Sequence, residues 1–187
     1  MTSSSTASIQ KNFKYHVFLS FRGEDTRKTF VDHLYASLTR LGIHTFRDNE
    51  ELQKGKQIDQ LFTAIEVSRF FIIVFSQNYA SSSWCLKEVA KIMECQDGNQ
   101  QIAYPLFYDV EPTDIRKQSG PVARAIANHK TNEQVKKWEN VLKSAGNLVG
   151  WDLKNIANEY NFFHRISLKL FFHFCISNLA SSGSANI

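Results

Sequence analysis

Short apolar runs alternate with longer amphipathic segments along most of the chain. Four apolar runs predict β-strands, at residues 15–20, 43–46, 70–75 and 102–108. Segments with helical spacing lie between and after them, at residues 26–41, 58–67, 84–96, 115–129 and 134–148. In the first of these segments, Leu34, Leu38 and Leu41 share one face, and Gly42 follows as a C-terminal cap. The pattern predicts an α/β domain.

The alternation also predicts how the strands are connected. Strands that alternate with helices run parallel and are joined by right-handed crossovers. We therefore expect a flavodoxin-like three-layer sandwich with a central parallel sheet of four to five strands, over residues 14–158. Residues 1–13 are rich in Ser and Thr and predict a disordered leader. Residues 159–179 form a C-terminal helical extension whose pattern is ambiguous, and residues 180–187 predict a disordered tail.

Composition narrows the classes of function. The 187 residues suit one domain, and the 15 Phe indicate a large aromatic core or a buried interface. A net charge of +4 permits an anionic ligand such as a nucleotide, but it is too small for a dedicated nucleic-acid binder. The three cysteines have no paired spacing, which indicates a reducing compartment and no metal site. We expect a cytoplasmic protein, with the nucleus as an alternative, and no membrane partner.

The loop after the first strand carries candidate chemistry. Arg22, Gly23, Glu24 and Asp25 follow the apolar run directly, and Asp25 or Thr26 can cap the helix that comes next. In open α/β sheets, ligands bind beyond the carboxyl ends of the strands. The loop therefore lies where a binding site is expected.

A second candidate pair lies in the helix at residues 84–96. Glu88 follows Trp84 by one helical turn, so both side chains lie on the same side of the helix. A carboxylate beside an indole suits a flat cationic or aromatic ligand. Alternatively, Glu88 is an ordinary solvated helix residue and Trp84 simply covers the sheet. Similarly, Arg22, Glu24 and Asp25 could form an ion-pair network that fixes their loop, which is compatible with lining a pocket.

Five motifs in order give the chain a family resemblance. They are FLSFRGEDTR (residues 18–27), NYASSSWCLKE (78–88), FYDVEP (107–112), RKQSG (116–120) and GWDL (150–153). In these motifs, the chain resembles the plant-type Toll/interleukin-receptor (TIR) domain of innate immunity, either as a TIR-only protein or as the isolated TIR domain of an immune receptor. The resemblance covers residues 14–158.

The resemblance implies an NAD+ glycohydrolase that acts in immune signalling and releases nicotinamide and ADP-ribose or cyclic ADP-ribose variants. NADP+ is a second candidate substrate, and no other cofactor or metal is implied. The glutamate of the Trp-Cys-Leu-x-Glu motif, here Glu88, is the implied catalytic residue. The implied substrate-binding residues are Arg22, Gly23, Glu24, Asp25, Thr26, Arg27, Gly55, Ser82 and Trp84.

The resemblance further implies that activity requires self-association or contact with other TIR domains. The implied contacts lie at Asp32 and His33, and at Arg116 and Gly120, and the loop at residues 48–57 is set against a neighbouring subunit. Asp32 replaces a serine that is common in the family. Two further departures are a segment at 58–65 that is one residue short and Pro121-Val122 in place of serine and phenylalanine. These changes motivate an alternative, a non-catalytic adaptor or decoy. Nucleic-acid binding is a distant third hypothesis.

Overall fold

A five-stranded parallel sheet forms the centre of the computed structural model, which describes residues 12–47, 57–97, 100–131, 133–155 and 159–182. The strand order is β2-β1-β3-β4-β5, and every neighbouring pair is parallel. The four predicted strands are present within two residues of their predicted bounds. The strands are β1 (Tyr15–Phe21), β2 (Thr45–Arg47), β3 (Ser68–Phe75), β4 (Ile102–Phe107) and β5 (Trp151–Asp152).

Helices cover both faces of the sheet, as the three-layer prediction requires. They are α1 (Gly23–Thr26), α2 (Asp32–Arg40), α3 (Gln57–Glu66), α4 (Ser83–Asp97), α5 (Pro112–Lys117), α6 (Gly120–Ala127), α7 (Val135–Gly146) and α8 (Glu159–Ser182). A π-helical turn, Arg27–Val31, joins α1 to α2, and 3-10 turns occur at Tyr79–Ser81 and Leu153–Asn155.

The sheet divides the core into two clusters. Successive residues of a strand point to opposite faces, so Phe18 enters one cluster while Val17 and Leu19 enter the other. The first cluster packs under α3, α4, α6 and α7, and the second packs under α2 and α8. Because both faces are covered, β1 and β3 read as nearly continuous apolar runs.

The first long helix begins earlier than the sequence pattern predicts. The predicted helix 26–41 starts at Gly23, and Arg22 occupies the N-cap position without a side-chain cap. The prediction that Asp25 or Thr26 caps this helix is therefore wrong. Thr26 is buried in the first turn and its hydroxyl donates to the Arg22 carbonyl over 3.2 Å. The predicted cap at the other end is confirmed, because Gly42 has φ +71° and the amides of Gly42 and Ile43 bond back to Thr39 and Leu38.

The predicted helix 115–129 is wrong as a single element. It is broken into α5 and α6 at Gln118, which adopts a left-handed φ of 46°. Its side-chain amide donates to the carbonyls of Ile115, Arg116 and Glu139, which binds the break to α7. Ser119 then donates to Asp114 over 2.6 Å. Local side-chain bonds thus outweigh helix continuity here.

Two elements near the C-terminal end add to the predicted fold. The two-residue strand β5 follows Gly150, where a Cβ atom would lie 2.2 Å from the carbonyl oxygen of Pro105, so glycine allows the close approach. Helix α8 forms in the ambiguous extension and continues to Ser182, three residues into the segment predicted as a tail. Phe163, Ile166 and Leu170 are buried along its inner face, whereas Ile156 lies outside the described residues.

Candidate active site

The candidate site lies at the carboxyl edge of the sheet, where β1 and β3 end side by side. The crossover from β1 leads outward to β2, and the crossover from β3 leads to β4 on the other side. In doubly wound sheets such a topological switch point opens a crevice in which ligands bind. The loops that follow β1 and β3 meet at this edge, where Asp25 bonds to Ser76 and Asn78.

Glu88 is buried at this edge. Glu88 is 3% exposed, and its Oε2 accepts a hydrogen bond of 2.6 Å from the hydroxyl of Ser20, near the end of β1. Ser20 shares a sheet face with Phe18, and α4 covers that face. The interpretation of Glu88 as a solvated helix residue is therefore wrong. A buried carboxylate is costly unless hydrogen bonds or charges compensate it.

Tyr79 and Cys85 complete the surroundings of the carboxylate. The Tyr79 hydroxyl lies 2.7 Å from Ser20 Oγ and donates to the Cys85 carbonyl over 3.1 Å. Burial, followed by the charges of Cys85 and Glu88, raises the pKa of Tyr79 well above its ordinary value. Burial and then the charge of Glu88 also raise the pKa of the Cys85 thiol. Both groups therefore stay protonated at neutral pH.

The β1–α1 corner is fixed by Asp25. Its carboxylate accepts from the hydroxyl of Ser76 over 2.5 Å, from the backbone amide of Asn78 over 3.3 Å and from the side-chain amide of Asn78 over 3.4 Å. It also lies 3.5 Å from Nε of Arg22. The corner is thus bonded to the loop after β3, and the structural ion-pair interpretation of Arg22 and Asp25 agrees with this geometry.

The other predicted residues of the corner have separate surroundings. Glu24 is exposed and pairs with Nη2 of the Arg22 guanidinium, and Gly23 begins α1. The Arg27 guanidinium lies over the Phe21 ring, 4.9 Å from its centre. The Cys85 thiol lies 3.6 Å from the carbonyl oxygen of Phe21, the residue before Arg22, so the start of α4 contacts the corner.

Ser82 and Trp84 lie at the start of α4. Ser82 is the N-cap, because its hydroxyl accepts from the Cys85 amide over 3.3 Å. Trp84 packs against the core and lines an open cavity of about 460 Å³ together with Phe46 and Asp59. The described lining of that cavity does not include Glu88. A cleft shared by Trp84 and Glu88 therefore stays a prediction.

The predicted association residues lie on two surfaces away from Glu88. Asp32 begins α2 and pairs with Arg47, whose guanidinium stacks over the Tyr35 ring at 4.3 Å. His33 is exposed and its ring meets Phe163 of α8 at 6.2 Å, edge to face. Arg116 packs against Gly146 of α7, and Gly120 begins α6 with φ +54°. Gly55 and the rest of the predicted loop up to residue 56 lie outside the described residues.

Ser20 and Tyr79 are site residues that the sequence analysis did not single out. Ser20 is a polar residue inside an otherwise apolar strand, on the face that α4 covers. Such a buried polar residue requires a partner, and this was the signal that could have indicated it. Tyr79 carries no comparable signal, because a tyrosine is also an ordinary core residue.

No group of three or more His, Cys, Asp or Glu side chains in the described segments is arranged to hold a metal ion. Among the helices of those segments, none combines the length and the apolar character needed to cross a membrane.

The strand order and the buried carboxylate at the switch point define a flavodoxin-like α/β domain with a polar site at its carboxyl edge. A family model, "TIR domain", matches residues 14–185, and the chain belongs to this family. It is 47% identical over 173 residues to the disease resistance protein RPV1 of Vitis rotundifolia, covering 91% of this chain and 12% of that protein. It is 48% identical over 156 residues to the TMV resistance protein N of Nicotiana glutinosa, covering 80% of this chain and 13% of that protein. The chain thus spans about an eighth of the length of these relatives.

Solved structures agree with this assignment. The TIR domains of the activated Roq1 resistosome, which recognises the pathogen effector XopQ, match with a TM-score of 0.75 and 45% identity, over 81% of this chain and 96% of that chain. The RPS4 and RRS1 TIR domain heterodimer matches with a TM-score of 0.53 and 20% identity, over 83% of this chain and 94% of that one, which supports the fold alone. The predicted TIR resemblance and fold class are confirmed.

Proposed function

We propose that this TIR domain hydrolyses NAD+, and NADP+ as a second substrate, to nicotinamide and ADP-ribose or a cyclic variant when it self-associates in plant immune signalling. The observation that carries the proposal is the buried carboxylate of Glu88, which accepts a hydrogen bond from Ser20, two residues before Arg22, at the switch point of the sheet. A buried carboxyl group at the carboxyl edge of a parallel sheet, where ligands bind, is typical of a catalytic group. Similarity to disease resistance proteins supports the immune role.

One carboxylate is sufficient for this chemistry. Breaking the bond between nicotinamide and ribose gives the sugar oxocarbenium character, which a nearby anion stabilises. Ordinary glycosidases require a second carboxyl group to protonate the leaving oxygen. Nicotinamide leaves as a neutral pyridine from a cationic ring, so it requires no acid. In this proposal Glu88 stabilises the developing charge, and Arg22 and Arg27 face the phosphates.

The test measures nicotinamide release from NAD+ by the purified chain over a range of protein concentrations. We expect release to rise more steeply than protein concentration, because assembly is required. Glu88→Ala should lower turnover by about 100-fold or more, the usual loss when a transition-state charge loses its partner. Glu94→Ala, on the exposed side of the same helix, is the matched control and should retain activity. Equal release by the wild type and Glu88→Ala would refute the catalytic assignment.

A second candidate function is that of a non-catalytic adaptor or decoy, which the pair between Asp32 and Arg47 favours. This pair ties the start of α2 to the end of β2 and occupies the position where the family commonly has serine. An adaptor would bind other TIR domains and reduce their NAD+ consumption without turnover of its own. Mixing the chain with an active TIR protein, and following both particle size and NAD+ loss, distinguishes the two functions. Asp32→Ser should restore self-association if this pair is what weakens it.

A further inference from the structure

Two histidines connect the chain where β1 and β2 begin. The His44 backbone amide donates to Nδ1 of His16 over 3.0 Å, and Nδ1 of His44 lies 3.0 Å from the carbonyl oxygen of Lys14. The His16 amide donates to the His44 carbonyl over 2.8 Å, which sets the two residues side by side. Their rings stand edge to face, 6.5 Å apart. Each imidazole therefore bonds to the backbone beside the other strand.

The two contacts require opposite protonation of the same ring atom. A backbone N–H group can only donate, so Nδ1 of His16 must keep its lone pair. A carbonyl oxygen can only accept, so Nδ1 of His44 must carry a proton. Neutral His16 is therefore the Nε2–H tautomer, and neutral His44 is the Nδ1–H tautomer. This assignment follows from the two hydrogen bonds alone, whatever else the rings contact.

The same contacts give the two histidines different responses to acid. Protonation of His44 adds a proton at Nε2 and leaves its bond to the Lys14 carbonyl intact. Protonation of His16 adds a proton at Nδ1, which then faces the N–H group of His44, so the hydrogen bond between them is lost. Only His16 can therefore open the connection as pH falls.

Positive charges near His16 oppose its protonation. Val17 pairs with Phe70 across β1 and β3, so His16 is level with Arg69 of β3. Burial, followed by the charges of His44 and Arg69, lowers the pKa of His16 below its ordinary value of 6.5. The folded protein thus keeps His16 neutral at neutral pH and protonates it only as pH falls below 6.5. Further titratable groups on the adjoining elements are Lys14 before β1, Asp59 and Glu66 of α3, Lys91 of α4 and His173 of α8.

We propose that His16 and His44 form a pH-operated clasp, which is closed while His16 is neutral and frees the start of β2 when His16 takes up a proton. The proposal goes beyond NAD+ hydrolysis and does not depend on it. β2 is only three residues long and pairs with β1 throughout. Its last residue, Arg47, pairs with Asp32 at the start of α2. The clasp thus makes the attachment of β2, and with it the position of this ion pair, sensitive to acid.

The experiment is an NMR titration of the full chain, labelled with 15N, across the range in which histidine titrates. The 15N shifts of the ring nitrogens report the tautomers, and at the alkaline end we expect Nε2–H for His16 and Nδ1–H for His44. As pH falls through the His16 midpoint, solvent exchange of the His44 amide, corrected for its intrinsic pH dependence, should rise by about 10-fold, the equivalent of one hydrogen bond. An Nδ1–H tautomer at His16, or a His44 amide that does not respond to the His16 titration, overturns the proposal.

Two matched variants separate the roles of the histidines. His16→Asn keeps an acceptor near the position of Nδ1 but cannot take up a proton, so the corrected exchange of the amide at position 44 should not rise in acid. His44→Asn still offers a side-chain donor to the Lys14 carbonyl, so it should retain the switch. Its His16 midpoint should be higher, because one of the two opposing charges is gone. A switch that survives in His16→Asn, or is lost in His44→Asn, overturns the proposal. If a variant does not fold, the wild-type tautomers and amide exchange decide alone.

Discussion

The two edges of the sheet bury polar side chains in different ways. At the amino edge, Gln101 is 4% exposed and its side-chain amide reaches the carbonyls of Ile65, Glu66 and Ser68 at 3.2, 3.3 and 2.6 Å. The Gln101 amide is neutral, and these three partners are backbone atoms. At the carboxyl edge, the carboxylates of Glu88 and Asp25 are buried or half-buried, and most of the hydrogen bonds described for them come from side chains.

This difference indicates that the buried polar groups of the amino edge serve the stability of the fold, whereas those of the carboxyl edge serve the proposed reaction. A neutral amide that satisfies backbone carbonyls stabilises the connections between strands, and nothing about it needs to change during a reaction. A buried carboxylate held by hydroxyl groups contributes little to net stability but can change its protonation state. We therefore expect substitutions at the amino edge to affect mainly unfolding, and substitutions at Glu88 to affect mainly turnover.

The largest expected effect on stability is that of Gln101→Leu. Loss of the amide leaves buried carbonyls at the α3–β3 connection without this donor, which should cost about 2 kcal/mol of unfolding free energy. Urea unfolding measures the loss, with Gln60→Leu on the exposed side of α3 as a control that should change little. NAD+ turnover of the folded variant should stay at the wild-type level. Lost turnover with unchanged stability would contradict the division between the edges.

Asp25→Ala should affect both properties. It leaves Ser76 and Asn78 without their acceptor, which should cost about 1 kcal/mol, and it releases Arg22 from its ion pair, which should weaken substrate binding. The control is Glu133→Ala, which removes an exposed acidic side chain outside the corner. Unfolding curves and KM for NAD+ measure the two effects. Equal behaviour of the two variants would show that the corner does not depend on Asp25.

Alkaline pH should destabilise the carboxyl edge. The raised pKa values of Tyr79 and Cys85 mean that the folded protein keeps protons which the unfolded chain loses above the ordinary values of 10.0 and 9.0. The free energy of unfolding should therefore be unaffected below about pH 9 and fall as pH rises further, by at most about 1.4 kcal/mol per pH unit for each group. Tyr79→Phe should make this decline shallower. An identical decline in the variant would contradict the assignment.

Acid pH should produce a smaller effect at the amino edge. Burial, followed by the charges of His44 and Arg69, lowers the pKa of His16, and its Nδ1 accepts from the His44 amide over 3.0 Å. The unfolded chain thus binds a proton first, so this contribution to stability is present above pH 6.5 and is lost as pH falls below it. His16→Asn keeps an acceptor but cannot ionise, so its unfolding free energy should depend less on pH in this window. A steeper dependence would contradict the prediction.

Much of the fold could be predicted from the sequence because burial on both faces imposes a strong pattern. β1 and β3 are apolar at nearly every position, and the Gly42 cap has a local chemical cause. Gln118 and Gly150 show why the rest could not be predicted. The first breaks a helix by bonding to α7, and the second starts a two-residue strand by close contact with Pro105. Both causes are tertiary contacts between segments distant in sequence.

The candidate site shows the same limit. The motif around Glu88 indicated that this carboxylate is the candidate catalytic group, but the hydrogen bond that accompanies its burial comes from Ser20, 68 residues earlier in the chain. The i, i+4 spacing placed Trp84 and Glu88 on one side of α4, yet the described lining of the cavity beside Trp84 does not include Glu88. The spacing of residues along a helix predicts only the side of the helix on which each lies. How deeply each side chain is buried depends on the strands that the helix packs against.

The most direct measurement of the central claim is a comparison of Glu88→Gln with the wild type in both stability and turnover. The amide has the same shape and no charge, so we predict an unfolding free energy within about 1 kcal/mol of the wild type and a loss of NAD+ hydrolysis of about 100-fold or more. Hydrolysis at the wild-type rate by a folded Glu88→Gln protein would contradict the account.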